Sequence, residues 1–354
     1  MNLPMVDQIA RAILYEGYAL YPYRASAVKN QQRFNFGVVY PQAWSEASHG
    51  VDACRMQVEC LVAGGADAKF DARVRFLQLV NRQIGRLSTR KRDWSDDAPP
   101  EYNVVPALEV GGQLHQTWQE VVEHEVVVAD LRLDDVLEQP KQQSFVFPAE
   151  RSIGPLRDPD GDVAGVVIRQ QEELAGGLEI HVEAAAERLF KVRLAIVNET
   201  PLADATVANR DVALAHSLLS AHAVFLTAQA RFISLLDPPE EFRAAAAACR
   251  NIGAWPVLVG EPGECDTLLA SPIILYDYPQ IAPESAGDMF DGTEIDEILA
   301  LRIMTLTDEE KREMRGLDDR TRAILQRTEM MPQEQFMKLH GAVRGLRPAE
   351  RRPT

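Results

Sequence analysis

The chain lacks the long hydrophobic run that a membrane-spanning helix needs. No apolar stretch approaches the roughly 18 uninterrupted residues that cross a bilayer. Its first residues, MNLPMVDQIARAILYEGYALYPYR, mix charges into the apolar pattern and show neither a basic leader nor a small-residue cleavage site. We therefore expect no membrane span and no secretory leader, and we predict a cytoplasmic protein.

Cysteine is scarce, with 4 in 354 residues, and no pair has the C-x2-C spacing of zinc sites. Thiols in a cytoplasmic protein are normally reduced. The common catalytic signatures are absent too. Neither phosphate-cradling glycine pattern occurs, and G-x-S-x-G and H-E-x-x-H are missing. These absences remove the most easily recognised enzyme classes and leave unfamiliar ones open.

Positively charged residues are also in the minority. The chain has 37 Lys and Arg but 53 Asp and Glu, which gives a net charge of −16. Nucleic-acid binding draws on an excess of bases, so we expect no nucleic-acid partner. Residues 73–92 nevertheless carry seven bases and no acid, and residues 95–140 carry eleven acids and one base. This polarity indicates either a surface that orients a protein partner or two neighbouring elements that pair with each other.

Alternating apolar and polar residues dominate the middle of the chain. Residues 163–169, 178–184 and 190–198 follow this two-residue period and are separated by glycine-rich or polar turns. Residues 34–40, 54–63 and 218–227 also favour strands. Residues 73–87 fit either a strand or a helix, and their turn-like flanks favour the strand. A series of such strands predicts an α+β fold with a strand-rich, antiparallel, sandwich-like body.

Helical character increases after Asp237. Residues 240–249 are alanine-rich, and residues 293–344 predict several helices, one of them opening with a capping box at Thr307 and Glu310. We divide the chain into three parts. Residues 1–236 comprise an N-terminal helix and the strand-rich body, and residues 237–344 form an α/β to helical portion. Residues 345–354 are a mobile polar tail.

Residues 271–302 form the most locally specific stretch. Residues 273–276 predict a buried strand, and a proline-punctuated loop follows. A rigid loop between packed elements is a common place for a binding or catalytic surface. The loop side chains that we predict to contact a partner are Asp277, Tyr278, Glu284 and Asp288. The two later carboxylates are also candidates for acid–base chemistry or for holding a hard cation.

A second candidate surface lies near the N-terminus. Its residues are aromatic or basic, as anchor residues in protein interfaces tend to be, namely Tyr15, Tyr18, Tyr21, Tyr23 and Arg24. Packing of about half of them into the core is the competing interpretation. A mixed nitrogen and sulfur site for zinc or nickel, built from His222 and Cys249, is a more speculative hypothesis that competes with ordinary packing.

Several segments resemble one uncharacterised bacterial family found in gene neighbourhoods of uptake NiFe hydrogenases. They read LYEGY at 14–18, YPYR at 21–24, CRNIG at 249–253, WPVLVG at 255–260, SPIILYDYP at 271–279, TEIDEIL at 293–299 and LTDEEK at 306–311. The resemblance extends from about residue 12 to about residue 345.

This resemblance implies an accessory or assembly protein that binds a hydrogenase subunit or its maturation machinery. It implies no particular reaction and no particular cofactor. The alternative is a metal-handling protein or an enzyme of unknown reaction that uses the carboxylates or the Cys/His pair.

Overall fold

The computed structural model describes residues 3–15, 18, 24, 27, 30, 33–95, 100–280 and 300–332. The chain forms two compact units, Met1–Pro279 and Gln280–Thr354. The described strands are β1 (Arg55–Ala63), β2 (Lys69–Lys91), β3 (Tyr102–Val105), β4 (Ala107–Val110), β5 (Gln113–Gln116), β6 (Trp118–Arg132), β7 (Lys141–Phe147), β8 (Glu150–Arg157), β9 (Val163–Gln171), β10 (Leu174–Ala186), β11 (Leu189–Asn198), β12 (Leu219–Thr227), β13 (Arg231–Ile233), β14 (Trp255–Leu258) and β15 (Thr267–Ser271).

Short helices connect these strands. Among the described residues of the first unit they are α1 (Leu3–Leu14), α2 (Gln42–Ala47), α3 (Leu133–Glu138), α4 (Arg210–Ala215) and α5 (Arg243–Ala247), and a 3-10 turn spans Glu240–Phe242. None of the helices in the described ranges is long and apolar enough to cross a membrane.

The body of the first unit is an antiparallel sandwich. A five-stranded sheet has the order β13-β1-β11-β10-β7, and an eight-stranded sheet has the order β14-β15-β12-β2-β9-β8, with β3 and β6 also paired to β2. One core cluster combines inward side chains of both sheets, among them Val58 and Leu194 from the first and Phe76 and Phe225 from the second. The predicted α+β, sandwich-like body is therefore confirmed.

Strand β2 is long enough to take part in two regions. Its first half pairs with β12 and β6, and its second half pairs with β9 and β3. The second half builds an extension with a separate small core around Leu87, Val163 and Val166.

The basic and acidic segments lie on β2 and β6, which are adjacent antiparallel strands. Arg75 Nε lies 2.6 Å from Glu125 Oε1, and Arg82 Nη1 lies 2.8 Å from Glu120 Oε1. Much of the charge polarity is thus neutralised between neighbouring strands, as the second interpretation predicts.

The second unit is helical where it is described. Helices α6 (Asp308–Arg315) and α7 (Asp319–Glu329) pack their apolar residues together, with Met314 and Leu325 almost fully buried. The predicted capping box is present, because Thr307 accepts from the Glu310 backbone and the Glu310 carboxylate accepts from the Thr307 backbone. The predicted helix start near residue 293 and the tail at 345–354 lie outside the described residues.

Two local predictions are wrong. Residues 34–40 form only an isolated bridge between Val39 and Leu218. Residues 273–276 are not a buried strand. β15 ends at Ser271, which pairs with Trp255, the first residue of β14, and Pro272 offers no N–H for a ladder. Residues 237–279 lie within the compact unit Met1–Pro279, and the division at residue 237 stays a prediction.

Candidate functional site

The N-terminal tyrosines hold their own segment in place. Tyr18 is 4% exposed and meets Tyr15 edge to face, with ring centroids 5.5 Å apart. The Tyr15 hydroxyl donates to Glu123 Oε1 of β6 at 2.7 Å. The Arg24 carbonyl accepts from the Asn30 side chain at 3.0 Å. These contacts fit the competing interpretation that part of the cluster packs internally. Tyr21 and Tyr23 lie outside the described residues.

In the loop after β15, Asp277 and Tyr278 cover the free edge of β14. The Asp277 carboxylate accepts from the Leu258 backbone N–H at 2.8 Å and from the Ser234 hydroxyl at 2.5 Å. The Tyr278 backbone N–H donates to the Leu258 carbonyl at 2.7 Å. Both residues are therefore engaged within the chain. Glu284 and Asp288 lie outside the described residues, so their role stays a prediction.

His222 and Cys249 occupy different parts of the sandwich. His222 lies on β12 opposite Arg75, is fully buried, and has its pKa lowered to about 4 by desolvation. Cys249 packs near Leu61 and Ile233 of the five-stranded sheet, and burial raises its pKa to about 11. Within the described residues, no three His, Cys, Asp or Glu side chains are arranged to hold a metal ion. The metal role remains a prediction.

A pocket of about 410 Å3 opens at one end of the sandwich. It is formed by five segments far apart in sequence: the residues before α2, the residues leading into β1, the start of α4, the start of β14, and the residue after β15. The lining residues are Asn35, Phe36, Gly37, Val38, Val39, Tyr40, Val51, Asp52, Ala53, Arg55, Met56, Arg210, Gly253, Trp255 and Pro272. Its size lies within the usual range of ligand-binding clefts.

The polar groups of this pocket are fixed by hydrogen bonds. The Arg210 guanidinium donates to the Phe34 carbonyl at 3.1 Å and to Asn35 Oδ1 at 2.9 Å. Asp52 accepts from the Trp44 indole N–H at 2.8 Å. Arg55 pairs with Glu179 across the five-stranded sheet at 2.8 Å. Side chains held in this way keep their charges in place before a ligand arrives.

Burial dominates the environment of Tyr40. The hydroxyl pKa of this side chain is raised by desolvation, and Arg210 opposes part of that shift. Tyr40 also stacks on Trp44 with ring centroids 6.3 Å apart. The pocket floor is therefore a neutral aromatic surface beside a fixed guanidinium.

The rim of the pocket is apolar and open to solvent. Phe36 is 45% exposed, Val51 84% and Trp255 42%. On the loop after the lining residue Pro272, Ile274 is 72% and Tyr276 87% exposed. Large apolar side chains gathered beside a cleft are typical of binding surfaces. We call Phe36, Val51 and Trp255 the apolar rim.

A glycine brings two walls of the pocket together. Gly37 has a φ of +56°, and a Cβ at this position would lie 2.6 Å from Pro272 Cγ. Only glycine allows this approach without displacing a wall. The segment before α2 and the loop after β15 therefore meet at a point where no side chain fits.

Sequence reasoning missed the apolar rim. Trp255 stands out in the sequence only as part of the WPVLVG motif at 255–260. Phe36 and Val51 carry no local signal, since only the tertiary fold places them beside β14.

Comparison with known proteins assigns no relative to this chain. No protein-family model, curated protein or solved structure matches it.

Proposed function

We propose that this chain is a cytoplasmic accessory protein that docks onto a partner protein through the pocket and its apolar rim. The observation that carries the proposal is the pair of half-exposed aromatic side chains, Phe36 and Trp255, beside the fixed Arg210. Tryptophan, tyrosine and arginine are the residues that most often dominate the binding energy of interfaces.

The proposed partner is a NiFe hydrogenase subunit or a protein of its maturation machinery, as the sequence resemblance implies. A projecting apolar side chain of that partner would enter the pocket and cover Tyr40, while the rim would exclude water around it. Because the Arg210 and Asp52 side chains are already ordered, little conformational entropy is lost at these positions on binding.

The test is a pull-down of the tagged full-length chain from cells that express the hydrogenase, followed by titration with the recovered subunit. We expect Phe36→Ser and Trp255→Ala each to weaken binding by about tenfold or more, since each removes a large rim side chain. Phe36 is the safer site to change, because it lies outside the helices and strands and is 45% exposed.

The matched control is Val104→Ser, which removes a 55% exposed apolar side chain from β3 in the extension. This change is expected to leave the affinity unaltered. Failure to recover any hydrogenase or maturation protein under mild conditions contradicts the proposed partner. Unchanged binding by both rim variants contradicts the proposed surface.

A further inference from the structure

Strand β7 forms an edge of the five-stranded sheet. It spans Lys141–Phe147 and pairs on one side with β10, from Phe147 opposite Leu174 to Lys141 opposite Ile180. In the described part of the chain, β7 makes no other bond between backbone groups. The Ser144 carbonyl accepts from the exposed Gln143 side chain of the same strand at 2.9 Å, and a pairing strand would have to replace this contact. A cleft of about 770 Å3 lies beside its first residues, between β7 and the end of β6. The outer edge of β7 is therefore open.

Other edges of the two sheets are protected against pairing. β14 contains Pro256, and Asp277 and Tyr278 bond to its last residue. β13 has only three residues, and β8 contains Pro155 together with charged residues. β6 carries four acidic residues along its length, Glu120, Glu123, Glu125 and Asp130. Proline, charge, short length and covering loops are the usual means of preventing strand addition.

β7 has none of these protections along its centre. Its sequence KQQSFVF contains no proline and no acid, and its single charge, Lys141, stands at one end. Gln142, Ser144 and Val146 are exposed, with Val146 at 61%. In a chain with a net charge of −16, an acid-free edge of this length is a place where two copies can approach.

We propose that two copies of this chain associate through antiparallel pairing of β7 with β7. A two-fold axis at Ser144 places Ser144 opposite its own counterpart and Gln142 opposite Val146 of the second copy. No like charges then face each other within the strand. The two five-stranded sheets join into one continuous sheet of both copies. This self-pairing surface is independent of the pocket and its apolar rim.

Because the axis passes through Ser144, the register can be tested by charge exchange. Residues directly opposite each other in an antiparallel pair have Cβ atoms about 5 Å apart, and like charges there are destabilising. Ser144→Lys alone and Ser144→Glu alone are each expected to weaken dimerisation by at least about fivefold. An equimolar mixture of the two variants is expected to restore dimerisation.

The measurement is sedimentation velocity of the full chain over a range of concentrations and salt. The control is Ser152→Lys, which adds the same charge to an exposed position of the β8 edge and is expected to leave the dimer intact. Dimerisation of the wild type is also expected to strengthen with added salt, because salt screens repulsion between acidic chains. Circular dichroism of each variant verifies that the fold is retained.

A wild-type chain that stays monomeric throughout overturns the proposal. Dimers that persist unchanged in both single variants also overturn it, because they place the interface elsewhere. Weakened single variants whose mixture does not recover overturn the symmetric register. Recovery in the mixture supports the register directly, since a merely structural defect at Ser144 would not be corrected by the opposite charge in the second copy.

Discussion

The two outer faces of the sandwich differ sharply although both come from the same alternation of residues. The outer face of the eight-stranded sheet is apolar at Leu77 and Leu79, and α1 and α4 pack over it. The outer face of the five-stranded sheet carries ion pairs such as Lys191 with Glu183 at 3.0 Å. Helices pack over an apolar outer face, whereas a charged outer face stays in contact with water.

Even the charged face is partly covered, and the cover is specific. Glu59 is 5% exposed because residues 249–252 lie over it. Its carboxylate accepts from the Arg250 backbone N–H at 2.8 Å, and its own backbone N–H donates to Asn251 Oδ1 at 2.8 Å. The motif at 249–253 thus covers a buried acid, which explains its polar residues without a catalytic role.

The largest expected effect lies under the helices. Leu77→Ala removes a side chain that is 1% exposed, so it loses apolar burial and leaves a cavity. We expect the free energy of unfolding to fall by about 2–5 kcal/mol, measured by urea denaturation. A loss below about 1 kcal/mol would show that the helices do not pack tightly on this face.

An intermediate effect is expected from pH on the same covered face. The folded pKa of His222 is about 4, against an ordinary value of 6.5, because burial disfavours the charged ring. Above pH 6.5 the ring is neutral in both states. As the pH falls from 6.5 towards 4, the unfolded chain takes up a proton that the folded chain does not. This group then lowers the free energy of unfolding by up to about 3 kcal/mol.

The test compares urea denaturation of the wild type and His222→Leu at pH 7 and at pH 4.5. The variant is expected to lose less stability on acidification, since it lacks the buried ring. His49→Asn serves as a control on an exposed histidine and is expected to follow the wild type. Parallel pH curves for the wild type and His222→Leu would rule out this contribution.

The smallest effect is expected on the charged face. Glu183→Gln breaks the pair with Lys191, but the Glu183 side chain is 57% exposed and water competes for it. We expect a change below about 0.5 kcal/mol, which shrinks further in high salt. Thermal unfolding at low and high salt measures it. If Glu183→Gln lowered the free energy of unfolding as much as Leu77→Ala, the two outer faces would not differ in their contribution to stability.

The sandwich was predictable because its central strands alternate cleanly. Residues 190–198 are strand β11, in which Val192, Leu194 and Ile196 face the core and the residues between them face outward. Residues 118–128 have an apolar spacing that fits a helix as well as a strand. Pairing with β2 along the whole segment decides in favour of a strand, and that pairing is not a local property.

The pocket could not be predicted because its parts are remote in sequence. Phe36, Val51 and Trp255 meet only after Val39 bridges to Leu218 and β14 pairs with β15. Each of these residues alone is an unremarkable hydrophobic side chain. The loop after β15, with its acidic residues, is more conspicuous in the sequence. Its Asp277 nevertheless protects the edge of β14, because the carboxylate accepts from the Leu258 backbone N–H.

Arg33 contacts both the N-terminal segment and the pocket residue Arg210. Its guanidinium stacks on Trp118 at 3.7 Å and donates to the Tyr18 carbonyl at 2.7 Å, while its own carbonyl accepts from Arg210 at 3.2 Å. One residue therefore ties Arg210 of the pocket to the N-terminal segment. A ligand that displaced the Arg210 side chain would break its bond to the Arg33 carbonyl, and so would loosen the support of Tyr18 as well.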